Sequence, residues 1–417
     1  RLLQKSSASL GILNELAKND DFHSWLLYAT EAAAAGLKKI LPPLMENPAC
    51  KATIIAHLIG KPFFNDYFLQ DAKPVESEAQ VSYISTILKQ AFEKYNVTLL
   101  QSIATQYPEI FSAFQASCSD ADQEKLNFIA HLEPERAMYV SKKMQAFING
   151  FGKIEQEDVL LTLARINDEK PGFQPVLIEF DVFSDEAVYG NFERLLEIMK
   201  NSSRPTEIQF ILSGAHFTSG RILITDTGDA KLWLVDSMGA EKSQENYWTE
   251  YHELFTLFSK HFSRYQIFVS QEKRQNTACG CSVFALDDLK HDFSLRLESG
   301  SNIWEYLSTL NPPPIRATTF DRNQNTSADY NICPLPLSLL RTMQSRTVYT
   351  IISDRPNSEN FVVNKKGETC QQSLHHFFLQ NSCKNRQNKR LSHKLKRMSD
   401  KNFHYLVTHS PEEIERK

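Results

Sequence analysis

The chain has 417 residues, 41% of them hydrophobic and 23% charged, with a net charge of −4. That length can bury one large core or two domains, and so small a net charge argues by itself for neither nucleic-acid nor membrane binding. There is no apolar run of about 18 residues, which excludes a transmembrane helix. The seven cysteines, Cys50, Cys118, Cys279, Cys281, Cys333, Cys370 and Cys383, are odd in number and lack framework spacing. They therefore point to a reducing compartment. Cys279-x-Cys281 has no second CxxC or His cluster beside it, so no metal is expected. The chain starts with Arg rather than Met, so an export signal ahead of it cannot be read.

Residues 1–150 read as helix after helix. Phe22–Leu41, Cys50–Ile59, Gln80–Tyr95, Thr98–Tyr107 and Glu124–Phe147 show apolar residues at helical spacing. Pro42, Pro43, Pro48, Pro74 and Pro108 read as breaks between them. No cluster there suggests chemistry, so an interaction or scaffold region is expected. The texture changes between Gly150 and Phe173. Strands are expected at Val176–Phe180, Thr206–Leu212, Arg221–Thr225, Lys231–Asp236 and Tyr265–Ser270, with helices at Asp185–Lys200, Tyr247–Phe262 and Ser282–Phe293. Asp226-Thr227-Gly228-Asp229 reads as a hairpin turn, since glycine takes positive φ cheaply. Strands flanked by helices make an α+β core, expected to span 151–310. Beyond the break at Pro312-Pro313-Pro314, Thr318–Asn331 reads as a loop. Residues 365–401 hold ten basic side chains against two acidic ones, a net +8, which leaves −12 for the rest.

One constellation carries chemistry. His216 follows a strand, Asp236 ends the apolar run Leu232-Trp233-Leu234-Val235, and Cys279 stands just before a helix. A cysteine nucleophile needs a base to form thiolate, and the base needs a third group to hold its ring. Cys279 is the expected nucleophile, favoured by the helix dipole and by His216 as imidazolium. Cys281 is its rival. Two positions along it points elsewhere around a helix, so it is expected to be core.

Three pieces of this segment, His216-Phe217, the strand closing at Asp236, and Gln275-x-x-x-Cys279-Gly280 followed by Phe284-Ala285-Leu286, resemble the YopJ family of bacterial effectors. Leu335-Pro336, Arg341–Ser345 and Phe361–Thr369 resemble that family's C-terminal regulatory segment. The resemblance covers about 205–400. It implies a clan CE core, papain-like and Ulp-like, with an ordered His, Glu or Asp, Cys triad and an α-helical regulatory segment over 311–417. It also implies that Gln275 supplies an oxyanion-hole donor, although a lone glutamine in a loop is usually surface. Cysteine at 281 departs from the family, where an aliphatic residue usually follows Cys-Gly.

The implied activity is acetyl transfer from acetyl-CoA to Ser, Thr or Lys of host proteins, signalling kinases among them, through a Cys thioester. The enzyme would be secreted by a bacterium and work in the host cytoplasm. The implied activator is inositol hexakisphosphate, held by Arg341, Lys365, Lys366, Lys396 and Arg397. On composition alone that basic tail reads equally as a solvated face. Nucleic acid is a third option, but no aromatic-interleaved motif is present. Two other functions stay open on the residues alone. A ubiquitin-like-protein protease would use the same triad, but such relatives usually carry Trp after the histidine, where Phe217 stands. A binding protein with a decayed triad would use the helical first half as its partner surface.

Overall fold

The computed structural model describes residues 78–149, 156–179, 187–203, 205–214, 216–240, 248–275, 280–294, 302–320, 325–340, 351–362, 366–369, 371–372 and 386–415. The chain divides into two units, one of residues 1–149 with 399–417 and the other of residues 150–398.

In the first unit, α1 (Glu78–Glu93), α2 (Val97–Gln106), α3 (Pro108–Ala116), α4 (Asp120–His131) and α5 (Pro134–Asn149) follow one another through short turns. Asn96 caps α2 by accepting from the Leu99 N–H at 3.2 Å, and the Ser119 hydroxyl caps α4 from the Asp122 N–H at 3.3 Å. Ile87, Leu88, Leu99, Leu100, Ile103, Ile129 and Val140 fill the space between the helices. The last residues of the chain join this core. The Tyr95 hydroxyl donates to Asp400 at 2.6 Å, and its ring lies 5.0 Å from that of Phe403.

Two expectations are refined here. Pro108 marks the expected break after α2 and also starts α3, which the sequence reading did not identify, because the missing proline N–H is one that a first helical residue would leave unbonded. The single helix expected over Glu124–Phe147 is two, parted before Pro134, whose ring bars the residue ahead of it from helical backbone. The helices expected at Phe22–Leu41 and Cys50–Ile59 lie outside the described residues.

The second unit opens with α6 (Gln156–Glu169), which the sequence reading did not identify. Its sheet comprises β1 (Val176–Glu179), β2 (Thr206–Ser213), β3 (Thr218–Ile224), β4 (Ala230–Val235), β5 (Tyr265–Ser270), β6 (Ile315–Phe320) and β7 (Asn325–Cys333), in the order β1-β2-β3-β4-β5-β7-β6. Strands β2, β3 and β4 form an antiparallel meander, with Gly228 at φ 81° in the expected turn. Strands β1–β2 and β4–β5 pair in parallel through α7 (Ala187–Asn201) and α8 (Trp248–His261). The fold is thus mixed α/β.

Alternation along the strands makes both faces apolar. Leu232 and Leu234 pack with Phe192 and Leu196 of α7 and Leu254, Phe255 and Phe258 of α8. Trp233 and Val235 face the opposite way, into a cluster with Trp304, Leu307, Leu335, Leu339 and Ile352. Helix α9 (Cys281–Ser294) lies along β3 on that second side, where Arg221 pairs with Asp292 at 2.7 Å. Gly220 is required in β3, because a Cβ there would sit 2.3 Å from the Phe210 ring of its register partner.

The loop expected over Thr318–Asn331 is instead the β6–β7 hairpin. Ala328 and Tyr330 alternate inward against α8, with Tyr330 and Phe255 rings 5.1 Å apart, while Ser327 and Asp329 face solvent. Burial on every second residue outweighed polar composition. After α10 (Ile303–Leu310), much of the basic tail forms α11 (Arg386–Thr408), and the short α12 (Pro411–Glu415) follows. No described helix is long and apolar enough to cross a membrane.

Candidate active site

The site forms where one end of the central sheet gathers three connections. Strand β4 runs parallel to β5 and antiparallel to β3. The ends of β4 and β5 therefore lie beside the start of β3. His216 precedes β3, Asp236 follows β4, and the loop after β5 leads through Gln275 to α9. Residues 20 to 65 positions apart in sequence are thereby brought together.

Asp236 is buried and held on all sides. Its backbone N–H donates to Ser270 Oγ at 2.9 Å. Its Oδ1 accepts from His216 Nε2 at 2.8 Å and from the Met238 N–H at 2.7 Å, and its Oδ2 accepts from the Tyr251 hydroxyl at 2.8 Å. Burial alone would push this carboxyl up, but the His216 charge and these hydrogen bonds hold it below its ordinary value. Burial would likewise lower His216, yet Asp236 and the Cys281 thiolate raise it well above the usual imidazole range. Because Nε2 faces the carboxylate, Nδ1 is the ring nitrogen left for a thiol.

The thiol brought to His216 is that of Cys281, which the sequence reading placed in the core. Burial would raise it, but the hydrogen bond and charge of His216 lower it. The backbone N–H groups of Phe217 and Ser282 act in the same sense. Cys281 is the first residue of α9, and Gly280 before it takes φ 107°. An anion there gains from the unbonded N–H groups of the first turn. Cys279 lies outside the described residues. An apolar helix pattern starting at Ser282 is compatible with residue 281 at the helix N-terminus, but nothing local in the sequence says which thiol meets His216.

Gln275 is buried, not a surface residue. Its Oε1 accepts from the Ser237 hydroxyl at 2.6 Å, and the backbone N–H groups of Arg274 and Gln275 both donate to Ser237 O at 2.8 Å. The Ser237 bond fixes the amide through its oxygen, and the nitrogen of that amide is the kind of donor an oxyanion needs. Gly239, at φ 70°, completes the turn after Asp236. A Cβ there would meet the Glu272–Lys273 backbone at 2.4–2.5 Å, so only glycine lets the two connections touch.

Arg274 is fully buried and forms a two-pronged pair with Asp288 of α9 at 2.7 and 2.6 Å, with Leu339 O at 3.1 Å as a further acceptor. This clamp spans the gap between Gln275 and Cys281. Tyr251, Ser237 and Arg274 all escaped the sequence reading. Tyr251 lies on the apolar stripe of α8, and nothing local distinguishes it from core.

Of the residues expected to hold a polyanion, Lys366, Lys396 and Arg397 are exposed, while Arg341 and Lys365 lie outside the described residues. Among the described residues no group of three His, Cys, Asp or Glu side chains gathers as a metal site would require.

The model of the YopJ Serine/Threonine acetyltransferase family matches residues 135–401. Similar solved structures include a deletion variant of AvrA with inositol hexakisphosphate and CoA, at 15% identity and TM-score 0.42, covering 66% of this chain and 98% of that one. HopZ1a with the same two ligands is 11% identical at TM-score 0.44, covering 68% of this chain and 96% of that one. Likenesses at those scores do not bear on the site. No curated protein matches the chain. The family match takes in α5, the whole sheet and most of α11, well over half of the sequence, and the chain belongs to the YopJ serine/threonine acetyltransferase family.

Proposed function

We propose that the protein takes acetyl from acetyl-CoA onto Cys281 and passes it to Ser, Thr or Lys side chains of host proteins, signalling kinases among them. The reading is carried by the Cys281 thiol bonded to His216, whose far nitrogen is bonded to the buried Asp236. It is supported by membership of the family.

His216 takes the thiol proton, and the Cys281 sulfur attacks the thioester carbonyl. The Gln275 amide and the Cys281 N–H stabilise the oxyanion that develops. The carbon–sulfur bond to CoA breaks, and imidazolium protonates the departing thiolate. In the second half His216 accepts the proton of an acceptor hydroxyl or amine as that group attacks acetyl-Cys281. Collapse of the adduct returns the Cys281 thiolate. Asp236 remains ionised throughout and stabilises the imidazolium. In this reading the nucleophile is Cys281 and not Cys279, the residue expected from the sequence.

The activator in this reading is inositol hexakisphosphate, which supplies dense negative charge when bound. Lys366, Lys396 and Arg397 are exposed cations of the kind such an anion requires, and Arg341 and Lys365 complete the proposed set. Delivery by a bacterium into the host cytoplasm belongs to the same reading.

Incubation with acetyl-CoA and inositol hexakisphosphate, followed by fragment mass spectrometry, tests it. An acetyl thioester on Cys281 is expected, with transfer abolished in Cys281→Ala and kept in Cys279→Ala. Acetyl on Cys279 and retained transfer in Cys281→Ala would overturn the assignment. Labelling by ubiquitin-like vinyl sulfone probes without acetylation would favour the protease.

A further inference from the structure

Tyr251 is buried in α8, and its hydroxyl lies 2.8 Å from Asp236 Oδ2 and 2.5 Å from Thr218 Oγ1. The direction of these bonds follows from the groups themselves. An ionised carboxylate can only accept, so the phenol must donate to Asp236. The phenol oxygen is then left to accept, and the Thr218 hydroxyl must donate to it. The result is a one-way chain, Thr218 to Tyr251 to Asp236, in which each donor is polarised by the one before.

We propose that Tyr251, aligned by Thr218, is a positioning residue for acetyl transfer. It occupies Asp236 Oδ2, so that Oδ1 faces His216, and it keeps the buried carboxylate ionised when the imidazole is neutral. The inference rests on the reading of Cys281, His216 and Asp236 as the catalytic set. The chain explains why two polar side chains are buried beside an acid at the sheet end. Thr218 opens β3 two residues after His216, and Tyr251 comes from the first turn of α8, so the β2–β3 connection and the β4–β5 crossover together fix one carboxylate. The groups facing Asp236 are His216 from the β2–β3 connection, Tyr251 from α8, the Met238 N–H from its own turn and Ser270 Oγ from the end of β5. Cys281 acts on it through His216.

The test is the pH dependence of Cys281 alkylation by iodoacetamide in the full chain, read by fragment mass spectrometry that separates Cys281 from Cys279. In the parent protein, thiolate reactivity should persist well below the pH of an ordinary thiol. Tyr251→Phe keeps the ring and removes one donor. Asp236 should then be protonated sooner as pH falls, and the imidazolium loses its counter-charge and returns its proton to sulfur. The acid-side midpoint should move up by roughly 0.5–1 pH unit, the size of one hydrogen bond to a carboxylate. Acetyl transfer at neutral pH should fall about tenfold in kcat with little change in KM. Thr218→Val should shift the midpoint in the same direction and Thr218→Ser should restore it. A lowered melting temperature in Tyr251→Phe with an unmoved midpoint and parental kcat would make Tyr251 core only and overturn the inference. An ordinary thiol midpoint in the parent protein would instead sink the nucleophile reading itself.

Discussion

At the scale of single residues, three shifts define one working range. His216 is raised above its ordinary 6.5, while Cys281 is lowered from 9.0 and Asp236 from 3.8. All three directions favour the thiolate–imidazolium pair over the neutral one, and activity should fall on both sides. It should fall as acid protonates Cys281 and Asp236, and as alkali takes the imidazolium proton. Stability follows the same signs. The share from His216, a raised group, is fully present below about pH 6.5 and is lost as pH rises through its folded value. The share from Asp236, a depressed group, is present above about pH 3.8 and is lost as pH falls through its folded value. Melting temperature against pH should therefore form a plateau between these limits, and His216→Gln should flatten its alkaline edge. Asp236→Asn keeps the size but loses the charge, and should lower kcat by about a hundredfold or more. Asp226, an acid between His216 and Asp236 in sequence, sits in the β3–β4 turn at the opposite end of those strands and cannot rescue it. Wild-type turnover in Asp236→Asn would refute the assigned role.

At the scale of elements, the loop from β5 to α9 is held by two buried charges of opposite sign. Arg274 clamps it to Asp288 on α9 and to Leu339 O. Glu272 accepts from the Leu335 N–H at 2.8 Å and from Arg355, which also donates to Leu335 O. The Arg274 guanidinium lies 5.3 Å from the Phe284 ring centre, so its stem and its plane are both packed. Removing one member of the inner pair leaves a buried charge without its counter-ion. Asp288→Asn should therefore cost about 3–5 kcal/mol in denaturant unfolding. Arg274→Met with Asp288→Leu should recover much of that stability, since an apolar pair of similar size needs no desolvation. The recovered protein should still transfer acetyl poorly, because Gln275 would no longer be held in register with Cys281. Full activity in the double variant would show the clamp to be structural only.

At the scale of the whole molecule, the uneven charge along the chain becomes a structural fact in α11. Lys394 on that helix reaches Asp287 of α9, which also faces His291 at 3.1 Å, so the basic helix touches the helix that begins with Cys281. Lys396 and Arg397 follow Lys394 within one turn of α11, so a polyanion bound to them would act near this contact. Inositol hexakisphosphate should raise the melting temperature, and the rise should shrink as salt increases. Replacing Lys366, Lys396 and Arg397 together by Ala should remove the rise. The ligand-free melting temperature should stay near that of the parent, because all three side chains are exposed. Calorimetry at low salt that detects no binding would reduce the tail to a charged surface.

What was legible in the sequence follows from locality. The strands from Val176 to Ser270, the turn at Gly228 and the flanking helices depend on periodicity and on glycine within a few residues, and they stand within about two or three residues of where the pattern put them. His216 and Asp236 were found for the same reason, since each sits at the end of a readable strand. Their meeting at 2.8 Å is already implied by the β3–β4 hairpin. Three things were decided only by tertiary packing. Residues 318–331 became a hairpin because Ala328 and Tyr330 could bury against α8, a partner some 70 positions away. Cys281 became the residue at His216 because the direction of α9 and the β2–β3 connection fix which thiol faces the ring. Tyr251 acquired its place because the α8 crossover lays it against the end of β4, where a buried carboxylate lacked one donor. Periodicity reports which face of an element is apolar, but only the assembled sheet determines which polar atom on that face meets another.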